Sequence, residues 1–112
     1  RTIRYSKEFN EFFDTLPDQV KEKTKYALQV IMDMKIISSK LAKKLIGTNF
    51  YELRISMQDE WRIVMSPMDN ESLIECSTIM LLNGFKKKST KDYRREINKA
   101  KSIFTKELRN GI

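Results

Sequence analysis

Residues 81–90 have the sequence LLNGFKKKST, in which an apolar strand pattern changes into a lysine cluster. The net charge of the chain divides at the same place. Residues 1–84 contain twelve basic and twelve acidic residues, whereas residues 85–112 contain ten basic and three acidic ones, which accounts for the whole net charge of +7. A charge concentrated on one part of a surface attracts a polyanion to that place, and RNA is the leading candidate.

Upstream of this run, apolar and polar residues alternate as they do in β-strands. In residues 50–57 the apolar face consists of Tyr51, Leu53, Ile55 and Met57. The same alternation follows a turn at Gln58-Asp59, and residues 73–85 indicate a third, longer strand. Thr2–Tyr5 is a candidate edge strand. Because the connections are short, we expect the three main strands to form an antiparallel meander with one face covered by helices.

Helical periodicity occurs on both sides of these strands. Ser6 is placed to cap a first helix that Pro17 ends, and Asp18 to cap a second. The second helix has an apolar stripe of Val20, Thr24, Ala27, Leu28 and Ile31. Residues 38–46 are expected to form a short helical turn.

A final helix begins at Ser89 or Thr90 and is expected to end at Gly111. One of its faces is apolar and the other basic. We therefore expect an α+β fold in a single domain over residues 1–112. Its parts are an N-terminal helical hairpin packed on a small antiparallel sheet and a C-terminal amphipathic basic helix.

The residue types exclude several kinds of chemistry. Histidine is absent, which removes the commonest metal ligand and the usual general acid–base group. We expect neither a metal nor a cofactor. Cys76 is the one cysteine and is read as a small buried hydrophobe, in keeping with a reducing cytoplasm. The longest uncharged stretch, residues 76–85, is half of what a membrane span needs, so no membrane partner is expected.

The strongest functional signal is the lysine trio Lys86, Lys87 and Lys88 at a strand-to-helix junction. Neighbouring ammonium groups lower one another's proton affinity. A lysine tuned in this way, for which we take Lys87, is a candidate general acid or base, and the outer two are candidate RNA contacts. The alternative is that all three are solvated surface charges.

Arg54 and Arg62 lie on neighbouring predicted strands, so both guanidinium groups can share one sheet face if the turn register permits. There they would suit a phosphate whose negative charge grows during displacement. The alternative is structural pairing with Glu52, Glu60 or Glu75 across the strands. The sequence leaves both interpretations open.

Four further residues are candidates because they lie close to the lysine trio. Tyr93, in the first turn of the last helix, is either a substrate contact or part of the core. Asn83 could hydrogen-bond a base or phosphate, or shape a turn. Lys91 and Arg95 belong to the basic face of the last helix and are candidate phosphate contacts.

Several short motifs occur in a characteristic order. They are KLIG (44–47), YELR (51–54), WRIV (61–64), LLNGFKKK (81–88) and Glu96-Ile97-x-x-Ala100. Together they resemble the RelE/ParE toxin superfamily, most closely its phage-derived HigB-like branch. The resemblance implies a type II toxin that cleaves messenger RNA in the ribosomal A site. The expected reaction is attack of a ribose 2′-hydroxyl on the adjacent phosphate.

The resemblance also implies partners and roles. A cognate antitoxin, expected to be of the helix-turn-helix type, would silence the toxin. Arg54 and Arg62 would hold the scissile phosphate, and Lys86–Lys88 would contact RNA. Many relatives have histidine where this chain has Asn83. Two other functions stay open on the same residues: a ParE-like gyrase inhibitor and a non-catalytic basic RNA-binding module.

Overall fold

A computed structural model describes residues 1–110, which form one five-stranded sheet and three helices. The elements are β1 (Thr2–Tyr5), α1 (Lys7–Asp14), α2 (Asp18–Asp33), β2 (Ala42–Lys44), β3 (Tyr51–Met57), β4 (Asp59–Pro67), β5 (Thr78–Lys86) and α3 (Thr90–Arg109). The strand order is β1-β5-β4-β3-β2. The pairing of β1 with β5 is parallel and the other three pairings are antiparallel. The α+β class is therefore confirmed, but the sheet is mixed.

Two expectations about element bounds were wrong. The helical turn expected over residues 38–46 is limited to its first part, where the N–H groups of Leu41 and Ala42 donate to the carbonyl of Ser38, and Ala42–Lys44 then pairs with β3 as an edge strand. The last strand begins at Thr78 and not at residue 73. Leu73 and Cys76 are buried, but they reach the core from a turn that precedes the strand. These two residues are apolar because they are buried in the core, although they do not pair with another strand.

The helix ends follow the sequence in part. The hydroxyl groups of Ser6 and Ser89 accept hydrogen bonds from backbone N–H groups in the first turns of α1 and α3, as capping predicts. Asp18 is not a cap: it is the first residue of α2, and Pro17 precedes it without a side-chain capping bond. Gly111, the expected end of α3, lies outside the described residues.

Two apolar cores lie on opposite faces of the sheet. The predicted stripe of α2 is buried against the first core, to which β3 and β4 contribute Leu53, Ile55, Ile63 and Met65. The second core lies under α3 and includes Val64, Leu82 and Ile103. Helices thus cover both faces, whereas the meander was expected to be covered on one. No helix in residues 1–110 is both long and apolar enough to cross a membrane.

Glu8 of α1 and Lys106 of α3 form an ion pair that joins helices from opposite sides of the sheet. Burial disfavours the charged form of Glu8, but the hydrogen bond and charge of Lys106 outweigh it and hold the pKa of Glu8 below 4.5. A carboxyl group with a lowered folded-state pKa contributes stability that is present above the unfolded pKa and is lost as the pH falls through the folded value.

We therefore expect the urea midpoint of the wild type to fall more steeply below pH 4.5 than that of Glu8→Gln. The measurement is urea denaturation between neutral pH and about pH 3. Parallel curves for the two proteins would show that the ion pair does not contribute to stability.

Candidate functional site

Three rows of cross-strand neighbours lie on the sheet face that α3 partly covers. The strand register gives the rows as Glu52, Val64 and Asn83, then Arg54, Arg62 and Phe85, then Ser56, Glu60 and Lys87. The first row lies under α3, and the third lies next to the turn that joins β3 and β4. We call the second and third rows together the arginine patch.

The turn register places both arginines on one face, since Arg54 is the direct partner of Arg62. The Arg62 side chain is only 6% exposed, and that of Arg54 is 33% exposed. Oε1 of Glu52 accepts a hydrogen bond from Nε of Arg54 at 3.0 Å and lies 4.0 Å from Nε of Arg62. The buried Glu52 carboxylate therefore offsets the repulsion between the two adjacent guanidinium groups. Arg54 and Arg62 thus share one sheet face and also pair with a glutamate, so both parts of the two interpretations occur in the same structure.

Two buried polar atoms of this arrangement have no hydrogen-bond partner among the described residues: Nε of Arg62 and Oε2 of Glu52. Buried polar groups are normally hydrogen-bonded, because a missing partner is costly. Arg62 also donates from Nη1 to the carbonyl of Trp61 at 2.9 Å. The backbone and Glu52 thus fix its orientation, while part of its donor capacity stays unused.

Glu60 links the arginines to the lysine cluster. Its carboxylate accepts a 2.8 Å hydrogen bond from the Ser56 hydroxyl and lies 3.5 Å from Nη1 of Arg62. The hydrogen bond from Ser56, together with the charges of Arg62 and Lys87, lowers the pKa of Glu60. The sequence indicates Glu60 only as one of several pairing partners of the arginines. The signal that could have placed it between Arg62 and Lys87 is the strand alternation, which puts Glu60 opposite Ser56.

The lysine trio does not act as one unit. Lys86 pairs with Trp61 and lies on the opposite face of the sheet, with Nζ 5.3 Å from the centre of the Trp61 ring and 3.3 Å from Asp59. Lys87 joins the arginine patch, because its N–H donates to the carbonyl of Glu60 and continues the strand pairing. Lys88 lies beyond the strand, beside the start of α3.

Asn83 is buried between β5 and α3. It is 1% exposed, and its Nδ2 donates to the backbone carbonyl of Glu96 at 3.1 Å, which attaches α3 to β5. A register shift between Val64 and Met65 turns it toward α3. The expectation that Asn83 shapes a turn is therefore wrong, since the residue lies within β5 and holds α3 in place. Its contact with RNA stays a prediction.

The remaining candidates lie on α3. Tyr93 is partly buried and packs edge-on against Phe85, with ring centres 5.5 Å apart, so it borders the second row of the arginine patch. Lys91 and Arg95 are exposed on the helix, and Arg95 pairs with Asp92 at 2.6 Å. These two are not brought into the patch.

Replacing Glu52 by glutamine should lower the free energy of unfolding by about 1–3 kcal/mol. The change removes the charge that holds two like-charged side chains on adjacent strands. Urea denaturation measures the effect. Glu60→Gln is the matched control on the same face, and its midpoint should stay close to the wild type because that carboxylate is exposed. Equal losses in the two variants would contradict the special role of Glu52.

Comparison with solved structures identifies the architecture as that of RelE toxins. A free Escherichia coli RelE variant with two arginines changed to alanine matches with a TM-score of 0.63 and 16% identity, over 87% of this chain and 94% of the other. A chain of the intact E. coli RelBE toxin–antitoxin complex matches with a TM-score of 0.61 and 17% identity, over 79% of this chain and 98% of the other. The RelB–RelE antitoxin–toxin complex of Methanococcus jannaschii matches with a TM-score of 0.58 and 20% identity, over 80% of this chain and 96% of the other. At such identities the likeness concerns the fold alone.

The sequence itself decides the family. A profile described as "Phage derived protein Gp49-like (DUF891)" matches residues 11–105, and the chain belongs to this family. Together with the structural matches, this confirms the resemblance to the RelE/ParE superfamily. None of the curated proteins matches the chain in sequence. The narrower assignment to a HigB-like branch stays a prediction.

Proposed function

We propose that this chain is the toxin of a type II toxin–antitoxin system and cleaves messenger RNA on the ribosome. The observation that supports the proposal best is the Arg54–Arg62 pair. The two arginines lie side by side on one sheet face, and Lys87 lies in the neighbouring row of the same face. Two guanidinium groups on adjacent strands suit the oxygens of one phosphodiester. The RelE relatives that share the fold include toxins solved with RelB antitoxins.

In the proposed reaction the ribose 2′-oxygen attacks the adjacent phosphorus, the P–O5′ bond breaks, and the 2′-hydroxyl proton passes to solvent. The nucleophile therefore belongs to the substrate. The protein then has to align the linkage and neutralise the charge that grows on the phosphate. Arg62 is held for this by Glu52 and by the carbonyl of Trp61. Arg54 is more exposed and closes on the same phosphate from the neighbouring strand.

Proton transfer has to proceed without histidine. We assign protonation of the leaving 5′-oxygen to Lys87, whose ammonium borders the patch, and stacking on the flanking base to Tyr93. In the free protein the carboxylate of Glu60 forms an ion pair with Arg62. A phosphate bound at Arg62 has to displace it, and the lowered pKa makes Glu60 a weak base at neutral pH.

The proposed partners follow from the charge distribution. The ribosome is a polyanion, and the excess of basic residues after position 84 favours association with it. A cognate antitoxin would silence the protein by covering the arginine patch. Both encounters would take place in the cytoplasm.

The test is induced expression in bacteria without an antitoxin, followed by mapping of transcript ends. We expect growth arrest with new 5′ ends inside translated regions, and the same ends when purified protein is added to ribosomes programmed with message. Double-strand DNA breaks with intact transcripts would instead identify a gyrase inhibitor. Binding of RNA without new ends, even on ribosomes, would identify a non-catalytic module.

A further inference from the structure

A groove runs along α3 from the arginine patch toward the middle of the helix. One wall is formed by Arg94, Asn98 and Lys101 of α3, and the other by the loop that contains Ile46 and Gly47. Its volume is about 380 Å³. Tyr93 stands at its entrance and touches Phe85, the cross-strand partner of Arg62, so the groove begins where the patch ends.

The groove carries uncompensated positive charge. Arg94 and Lys101 are the charged residues that line it, and within residues 1–110 neither forms an ion pair. Elsewhere on α3, Arg95 is paired with Asp92 and Lys106 with Glu8. Two free cations in a concave place next to a phosphate-sized patch favour an anionic ligand.

The groove is also shaped for a strand and not for a single ion. Its floor is the side chains of Leu45 and Ile97, which pack on the second core and are therefore held in place. Arg94 and Lys101 are seven residues apart on the helix, which is about 10 Å along its axis. That distance is too large for one phosphate. At the loop tip, the side chain of Ile46 is 97% exposed and offers an apolar surface on which a base can stack. The next residue, Gly47, has φ +81° and forms the turn of the loop.

We propose that the α3 groove holds the single-stranded RNA next to the linkage bound at the arginine patch, with Arg94 and Lys101 contacting two different phosphates. This inference rests on the proposed function, because the same RNA molecule occupies the arginine patch and the α3 groove. An acidic protein segment is the competing occupant. RNA is favoured because the groove continues a patch whose cross-strand arginines suit a phosphodiester.

The test uses purified protein and two RNAs that carry a 2′-deoxy substitution at the scissile nucleotide: a trinucleotide, and a single strand of about twelve nucleotides. Binding is measured by fluorescence anisotropy at several salt concentrations. For Arg94→Gln/Lys101→Gln we expect roughly tenfold weaker binding of the long RNA, and a slope of log K against log salt that is shallower by about 1.4. Binding of the trinucleotide should not change. The control is Lys7→Gln/Lys25→Gln, which removes the same charge from exposed side chains of α1 and α2.

Unchanged affinity and slope for the long RNA in the groove variant would overturn the inference. So would an equal loss for both RNAs, which would indicate a general charge effect. The proposed catalytic function fails by a different result, namely wild-type protein that binds the long RNA through the groove but leaves messages on ribosomes intact.

Discussion

Replacing Arg62 by lysine should reduce RNA cleavage on the ribosome by a factor of about 10²–10³. Lysine keeps the positive charge but loses the planar, bidentate donor set that matches two phosphate oxygens. The effect should be large because the side chain of Arg62 is nearly buried and fixed by Glu52 and the Trp61 carbonyl, so a shorter, rounder cation cannot occupy the same place.

The measurement is the initial rate at which new transcript ends appear on programmed ribosomes, with circular dichroism to show that the variant is folded. Arg54→Lys is the companion variant. Its loss should be smaller, because Arg54 is a third exposed and can adjust its position. A folded Arg62→Lys protein that cleaves at the wild-type rate would exclude the proposed role of the arginine patch.

Replacing Gly84 by alanine should lower the free energy of unfolding by about 3 kcal/mol. A Cβ at this position would lie 2.3 Å from Cε2 of Phe12, and the ring cannot retreat freely because it packs between Phe9 and Trp61. The glycine in the LLNGFKKK motif is thus explained by the close approach of α1 to β5, and not by a turn.

Thermal or urea unfolding tests this, and two variants make the test specific. In a Phe12→Ala background the same Gly84→Ala change should have little effect, since the clashing ring is gone. Gly47→Ala is the control glycine: nothing lies within 4 Å of its Cβ, so its loss reflects only the φ of +81° and should be about 1 kcal/mol. Equal effects of Gly84→Ala in both backgrounds would exclude the proposed contact.

The parts of the fold that the sequence predicted are those with a sustained period. The stripe of α2 and the alternation of β3 and β4 each repeat several times, and each is buried as expected. The failures are local and short. β2 has three residues, two of them lysines, which hide its alternation. β1 was recognised as an edge strand, but parallel pairing between segments so far apart in the chain leaves no local signal.

The candidate site was predicted in composition but not in arrangement. Arg54 and Arg62 face one side because the turn at Gln58 gives a register that only the structure shows. Adjacency in the sequence groups Lys86 with Lys87, yet β5 extends through Lys86 and adjacent strand residues point to opposite faces. The attachment of Asn83 to α3 is not predictable, because the register shift next to it cannot be seen in the sequence.

The pairing of β1 with β5 also bears on the order of events during synthesis. Thr2 lies opposite Thr78, and the Ser6 hydroxyl donates to the carbonyl of Leu82, 76 residues further along. A contact this distant forms late, since a long loop must close first. The nascent chain therefore stays incompletely folded until β5 has left the exit tunnel, so the arginine patch is not completed while only β3 and β4 have emerged.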